Sequence, residues 1–169
     1  GFWMYTSVAL LALANFIAPS PAPASPHWSA DYWSAQKYAQ KDQKPLAVFI
    51  GSGQNGFHKL SSDGNLTEPV QKILADNYVC VYLDTTKKDA KALAGQFEIT
   101  KGTGLVISDR SGKIQAYHHD GGLAASDLVA KLQRFADPDL EVQRTESNAR
   151  TSYYPSGQTY TQPVMGRSC

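Results

Sequence analysis

The sequence predicts a three-layer α/β/α sandwich whose central sheet is mixed and mostly parallel, closed by a C-terminal β-hairpin and helix. Three observations carry that expectation. The runs Leu46–Ile50, Tyr78–Leu83 and Gly104–Ser108 are short and apolar, as strands covered on both faces are. Stretches with apolar residues three and four apart separate them, which is the helical period. The third run is followed by the turn Asp109-Arg-Ser-Gly112, where Gly112 suits a positive φ, and then by a second strand, Lys113–His118.

Taken in order, Ser29 is expected to cap a first helix ending at Asp42, with Tyr32, Trp33, Gln36, Tyr38 and Ala39 near one face and Lys44-Pro45 stopping it. After Leu46–Ile50 and a Gly-rich turn, Asn65 is the expected cap of a second helix, in which Leu66, Val70, Ile73 and Leu74 form an apolar stripe. Glu68 falls in its first turn, where a carboxylate favours the helix dipole. The strand Tyr78–Leu83 ends at Asp84, and a helix over Ala90–Phe97 precedes the third apolar run. Leu123–Phe135 reads as an amphipathic closing helix stopped by Asp137-Pro138. Three strands separated by helices imply parallel crossovers, with the hairpin adding an antiparallel edge.

With 169 residues the chain has room for one ordinary domain and tails. Its 16 Lys and Arg against 15 Asp and Glu leave it nearly neutral, and no basic block concentrates charge, so nucleic acid is not an expected partner. Two cysteines, Cys80 and Cys169, are too few for a disulfide framework. Cys80 lies within an apolar strand and is expected to be an inert thiol. Cys169, the last residue given, is a candidate for an intermolecular disulfide and so for a disulfide-linked dimer.

Three segments follow from composition. Residues 1–26 join an apolar stretch, Phe2 to Ala18, to a Pro/Ala/Ser linker, and besides a buried core helix two readings stand. Ala22-Pro23-Ala24 suits a signal-peptide cleavage site, whereas the stretch is short for an uncleaved membrane anchor, which needs about 20 apolar residues. Either places the remainder outside the cytoplasm, in a periplasm or cell envelope or secreted, with membrane contact only through residues 2–18 if these are retained. Residues 27–137 form the domain. Residues 138–169 are polar, with Tyr153, Tyr154 and Tyr160 among Ser, Thr, Gln and Pro, and are expected to be a disordered tail.

The most informative segment is Gly51-Ser-Gly-Gln-Asn-Gly-Phe-His-Lys-Leu60, which joins a buried strand to a helical region and contains no cysteine. With Lys44-Pro45 and Leu46–Ile50 before it, this stretch resembles the thioredoxin-like superfamily, in particular the extracytoplasmic pattern K-P, hydrophobic run, G-x-x-W-C-x-x-C-K-x-L. The resemblance covers about residues 28–137. It extends to Tyr82-Leu83-Asp84 and to Leu105–Asp109 followed by Gly112-Lys113. It implies a thioredoxin fold in which Asn55 stands at the attacking cysteine, His58 at the resolving cysteine and Thr103 at the usual cis-proline. Neither Asn nor His supplies a thiolate. A non-proline cis bond costs about 2.5 to 4 kcal/mol, so Thr103 is expected to be trans.

The expected site is therefore a binding surface on the former redox loop, formed by Gln54, Asn55, Phe57, His58 and Thr103 at a helix N-terminus, with no catalytic residue, no cofactor and a protein partner. A plainer reading of Asn55-Gly56 is a turn, with His58 solvated or capping and Phe57 packed locally. His118-His119-Asp120 does not read as a metal site, because neighbours on a strand point to opposite faces. Asp84 reads as a turn or cap residue, and Trp28, Tyr32 and Trp33 as clamps between the first helix and the sheet. The function expected is that of a redox-inactive scaffolding or protein-binding module. The alternative is a thiol-disulfide oxidoreductase, or another thiol-dependent activity, that uses Cys80 or Cys169.

Overall fold

The computed structural model describes residues 25–147 of the chain. In chain order the elements are β1 (Trp28–Ser29), α1 (Tyr32–Asp42), β2 (Leu46–Gly51), a 3-10 turn (Gly56–Leu60), α2 (Glu68–Asn77), β3 (Val79–Asp84), α3 (Lys88–Gln96), β4 (Gly104–Ser108), β5 (Gln115–Asp120), α4 (Ala125–Ala136) and β6 (Glu146–Ser147). They make a six-stranded sheet of order β1-β3-β2-β4-β5-β6.

Side chains alternate across the sheet, as the pleat requires, and so build two cores. Ala47, Phe49, Leu105, Ile107 and Tyr117 pack with Val70 and Leu74 of α2 and Leu128, Leu132 and Phe135 of α4. Leu46, Val48, Ile50, Val81 and Val106 pack on the other face with Tyr32, Ala35 and Ala39 of α1, Ala94 of α3 and Phe97 beyond it. These are the three layers expected, and every strand but β4 runs in one direction.

β4 departs from the expected parallel crossover: it pairs antiparallel with β2, Ile50 facing Gly104 and Ala47 facing Ile107. The reason lies in the connection. β3 ends at Asp84, opposite Gly51, and β4 starts opposite Ile50, so α3 and its loop begin and end at the same end of the sheet. A parallel β4 would require the chain to return the length of the sheet first.

The helix starts differ too. Ser29 belongs to β1, and Asp31 caps α1, its Oδ1 accepting from the backbone N–H groups of Trp33 and Ser34 at 3.1 and 3.2 Å. α2 begins at Glu68 rather than just after Asn65, with Pro69 in its first turn, where the missing N–H costs nothing. β5 starts two residues late because the Asp109 carboxylate accepts from the N–H groups of Lys113 and Ile114, holding both in the turn.

The domain extends past 137. Leu140 and Val142 pack on the α2/α4 core, the Thr145 hydroxyl donates to the Gln115 carbonyl at 2.6 Å, and β6 pairs in parallel with Tyr117 and His118. Glu146 meets Lys131 at 3.3 Å and also Arg134. Residues 138–147 are therefore ordered, contrary to the expectation from their polarity: two apolar pegs and a strand pairing suffice to hold them. The rest of the expected tail, the N-terminal segment through Ala24 and Cys169 lie outside the described residues.

Candidate functional site

The start of the loop after β2, Gly51 to Gly53, is held by polar groups of β3 and its end. The Asp84 Oδ1 accepts from the Gly53 N–H at 2.8 Å and from the Thr86 N–H and hydroxyl at 3.1 and 2.8 Å. These bonds, that from Gly53 first, keep the Asp84 carboxyl below its ordinary range. The Tyr82 hydroxyl donates to the Gly53 carbonyl at 2.6 Å, and both the N–H and the hydroxyl of Thr85 donate to the Gly51 carbonyl. Gly51 and Gly56 are required by contact: a Cβ on Gly51 would lie 2.7 Å from the Gly56 carbonyl oxygen, and one on Gly56 would run into the Tyr82 hydroxyl. Asp84 is thus the turn residue expected of it, and Tyr82 is an organising residue that the sequence did not single out.

This frame presents Gln54 and Asn55 to solvent. Asn55 precedes the 3-10 turn and makes no side-chain cap bond. Phe57 is half-buried, stacked on Trp28 at 4.7 Å and 24°, edge-on to Tyr82 at 5.3 Å, and 4.4 Å from the His58 ring. It packs locally, and Trp28 clamps the turn instead of the first helix. His58 accepts the Leu66 N–H at Nδ1, 3.3 Å, so in the neutral ring Nε2 carries the proton.

The expected helix N-terminus at Asn55 is absent. Gly56–Leu60 is a five-residue 3-10 turn, and the turn-forming stretch Ser61-Ser-Asp-Gly-Asn65 separates it from α2. A lone 3-10 turn lacks the aligned peptide dipoles that depress a thiol pKa at the start of an α-helix. Cys80, the cysteine among the described residues, is buried in β3 opposite Ala47, and burial pushes its thiol up to about 12.

Thr103 stands at the same end of the sheet, because the next residue, Gly104, pairs with Ile50. It is half-buried and follows a trans peptide bond, and its carbonyl accepts from the Gly121 N–H at 2.8 Å. Asp120 braces this loop by accepting from the Thr100 and Lys101 N–H groups, both at 3.0 Å, and from the Thr100 hydroxyl. Burial pushes its carboxyl up, but these hydrogen bonds outweigh burial and hold it below the ordinary range.

A second link joins the two loops. Leu123 N–H donates to the Leu60 carbonyl at 2.7 Å, and Ser62 N–H to the Leu123 carbonyl at 2.8 Å. His119 steadies that link, bonding Tyr117 OH through Nδ1 at 3.3 Å and the Gly122 carbonyl through Nε2 at 3.1 Å. Burial first, and then Lys101, lower its pKa. His118 points to the other face, fully buried between the Phe97 carbonyl at 2.6 Å and the Ser147 hydroxyl at 3.0 Å. The two rings divide as strand neighbours must. No cluster of three or more His, Cys, Asp or Glu able to hold a metal occurs among the described residues.

The structure thus brings Gln54, Asn55, Phe57 and His58 onto one loop and sets Thr103 beside its start. Of the three aromatic residues expected to clamp the first helix, Tyr32 is buried, but Trp33 is 46 % exposed. At the far edge of the sheet a recess of about 370 Å³, lined by Arg134, Phe135, Val142, Arg144 and Glu146 among others, lies beneath the 140–146 segment.

The class defined by this sheet order, its two helical layers and the loop after β2 is the thioredoxin-like fold. A solved structure described as a DsbH oxidoreductase superposes with a TM-score of 0.50 at 19% sequence identity, over 75% of this chain and 92% of that one. No protein-family sequence profile matches the chain, and no curated protein matches it. Among the described residues no helix is long and apolar enough to cross a membrane.

Proposed function

We propose that this chain is an exported, redox-inactive thioredoxin-like domain of the cell envelope that binds a protein partner through Gln54, Asn55, Phe57, His58 and Thr103. The observation that carries the reading is the loop itself. Where thiol exchange would need two cysteines, it has Asn55 just before a short 3-10 turn and His58 within it, while Tyr82 and Asp84 tie its backbone at Gly53 and leave Gln54 and Asn55 exposed. A pre-organised exposed loop loses little conformational entropy on binding. Disulfide exchange by the described residues would fall to Cys80, whose burial opposes thiolate formation. Export is supported by the apolar segment and Ala22-Pro23-Ala24.

The test is a cross-linked pull-down from envelope extract with the full chain and with Asn55→Ala/His58→Ala. Loss of a defined partner from the double variant is the expected result. An unchanged partner set, or insulin reduction above the uncatalysed rate that disappears in a Cys80→Ser/Cys169→Ser chain, overturns the reading.

A further inference from the structure

The turn between the 3-10 turn and α2 carries a feature that the binding reading does not use. Of the five asparagines in the chain, Asn65 alone has a hydroxyl residue two positions on, in Asn65-Leu66-Thr67. Such a triplet accepts an N-glycan where it lies on a surface loop of an exported protein. Here it does lie on a surface loop. Asn65 and Thr67 are exposed, and Leu66 between them is 4 % exposed, so the segment alternates out, in, out. Thr67 has extended backbone angles, φ −65° and ψ 157°, and although it precedes α2 it makes no side-chain cap bond. Asn65 and Thr67, the two residues that a transferase reads together, are thus both at the surface.

We infer that Asn65 is an N-glycan acceptor, modified from a lipid-diphosphate-linked oligosaccharide; the inference rests on the export reading above. In the transfer the Asn65 amide nitrogen forms a bond to C1 of the first sugar. The C1–O bond to the diphosphate breaks, its electron pair leaves with the diphosphate, and the amide gives up one proton to a carboxylate of the transferase. Because Leu66 is packed in the core, the triplet is read before this loop docks, on the chain as it is exported. Once folded, the glycan points to solvent. It also stands beside the proposed binding face, since the Leu66 N–H is the group held by His58 Nδ1. A glycan there narrows the approach to Asn55 and His58.

The experiment is fractionation of the cells that make the full chain, followed by mass spectrometry of the tryptic peptide spanning residues 60–72, alongside Asn65→Gln, Thr67→Ala and Thr67→Ser chains. The expected result is an envelope-located chain whose peptide carries a glycan mass, lost in Asn65→Gln and Thr67→Ala and retained in Thr67→Ser. An envelope-located chain with an unmodified peptide overturns the glycan assignment and leaves export standing. A cytoplasmic, unmodified chain overturns both, and a glycan mass that survives Thr67→Ala overturns the assignment to this triplet.

Discussion

Residues 52–60, which leave the end of β2, and residues 138–147, which run from α4 into β6, are both polar stretches, and the fold secures them by different means. The first is fixed at closely spaced points: Tyr82 and Asp84 of β3 hold its backbone at Gly53, Trp28 stacks on Phe57, Leu123 bonds the Leu60 carbonyl, and Leu60 is buried in the core. The second is fixed at several separated points, by Leu140 and Val142 in the core, Thr145 on β5, and Glu146 between Lys131 and Arg134. A polar segment is thus secured by a few anchors, and their spacing sets how locally it can open.

The costliest single change in either segment is at Leu60, fully buried at the end of the 3-10 turn. Leu60→Ala should cost about 2 to 5 kcal/mol in urea unfolding, because the loop anchor is also a core residue. A cost near zero would mean that the turn is not packed as described. Gly51→Ala comes next, at about 1 to 3 kcal/mol, since its Cβ meets backbone rather than a movable side-chain end.

Tyr82→Phe sharpens the contrast. It removes the bond to the Gly53 carbonyl at a cost of about 1 kcal/mol, and hydrogen exchange should quicken at residues 53–56 while residues 140–147 stay unchanged. Equal quickening in both would show that the two regions open together. Glu146→Gln should do the reverse, loosening 144–147 with a stability loss below about 1 kcal/mol that shrinks further in salt, as a part-exposed ion pair does.

A pH titration gives the smallest effect. Burial, with Lys101 adding to it, lowers the folded-state pKa of His119 below the unfolded value, so the neutral ring is favoured in the folded chain. Its contribution is fully present above the unfolded pKa, about 6.5, and is lost as pH falls from there through the folded value. His119→Asn should flatten that part of the stability curve relative to the parent chain, and an unchanged slope would mean that burial does not lower the His119 pKa.

Much of the fold was legible locally. The apolar runs around Val48, Val81 and Val106 marked three central strands because both faces of each are covered, and the spacing of Val70 and Leu74 marked α2. The absence of cysteine from 51–60 was equally plain, and it located the candidate loop. Less legible was how the loop is held: nothing near Gly53 in sequence shows that Tyr82 and Asp84, some thirty residues on, supply its hydrogen bonds.

Local periodicity and residue chemistry were enough to mark the central strands β2 to β5, the helices beside them and the residues at the exchange positions, because these are properties of neighbouring residues. Only the tertiary structure decided that β4 runs against β2, that the turn at Asn55 stays 3-10 rather than opening an α-helix, and that 138–147 join the sheet. Each of those outcomes is set by where a partner distant in the chain makes its hydrogen bond or apolar contact, and local sequence does not encode that position.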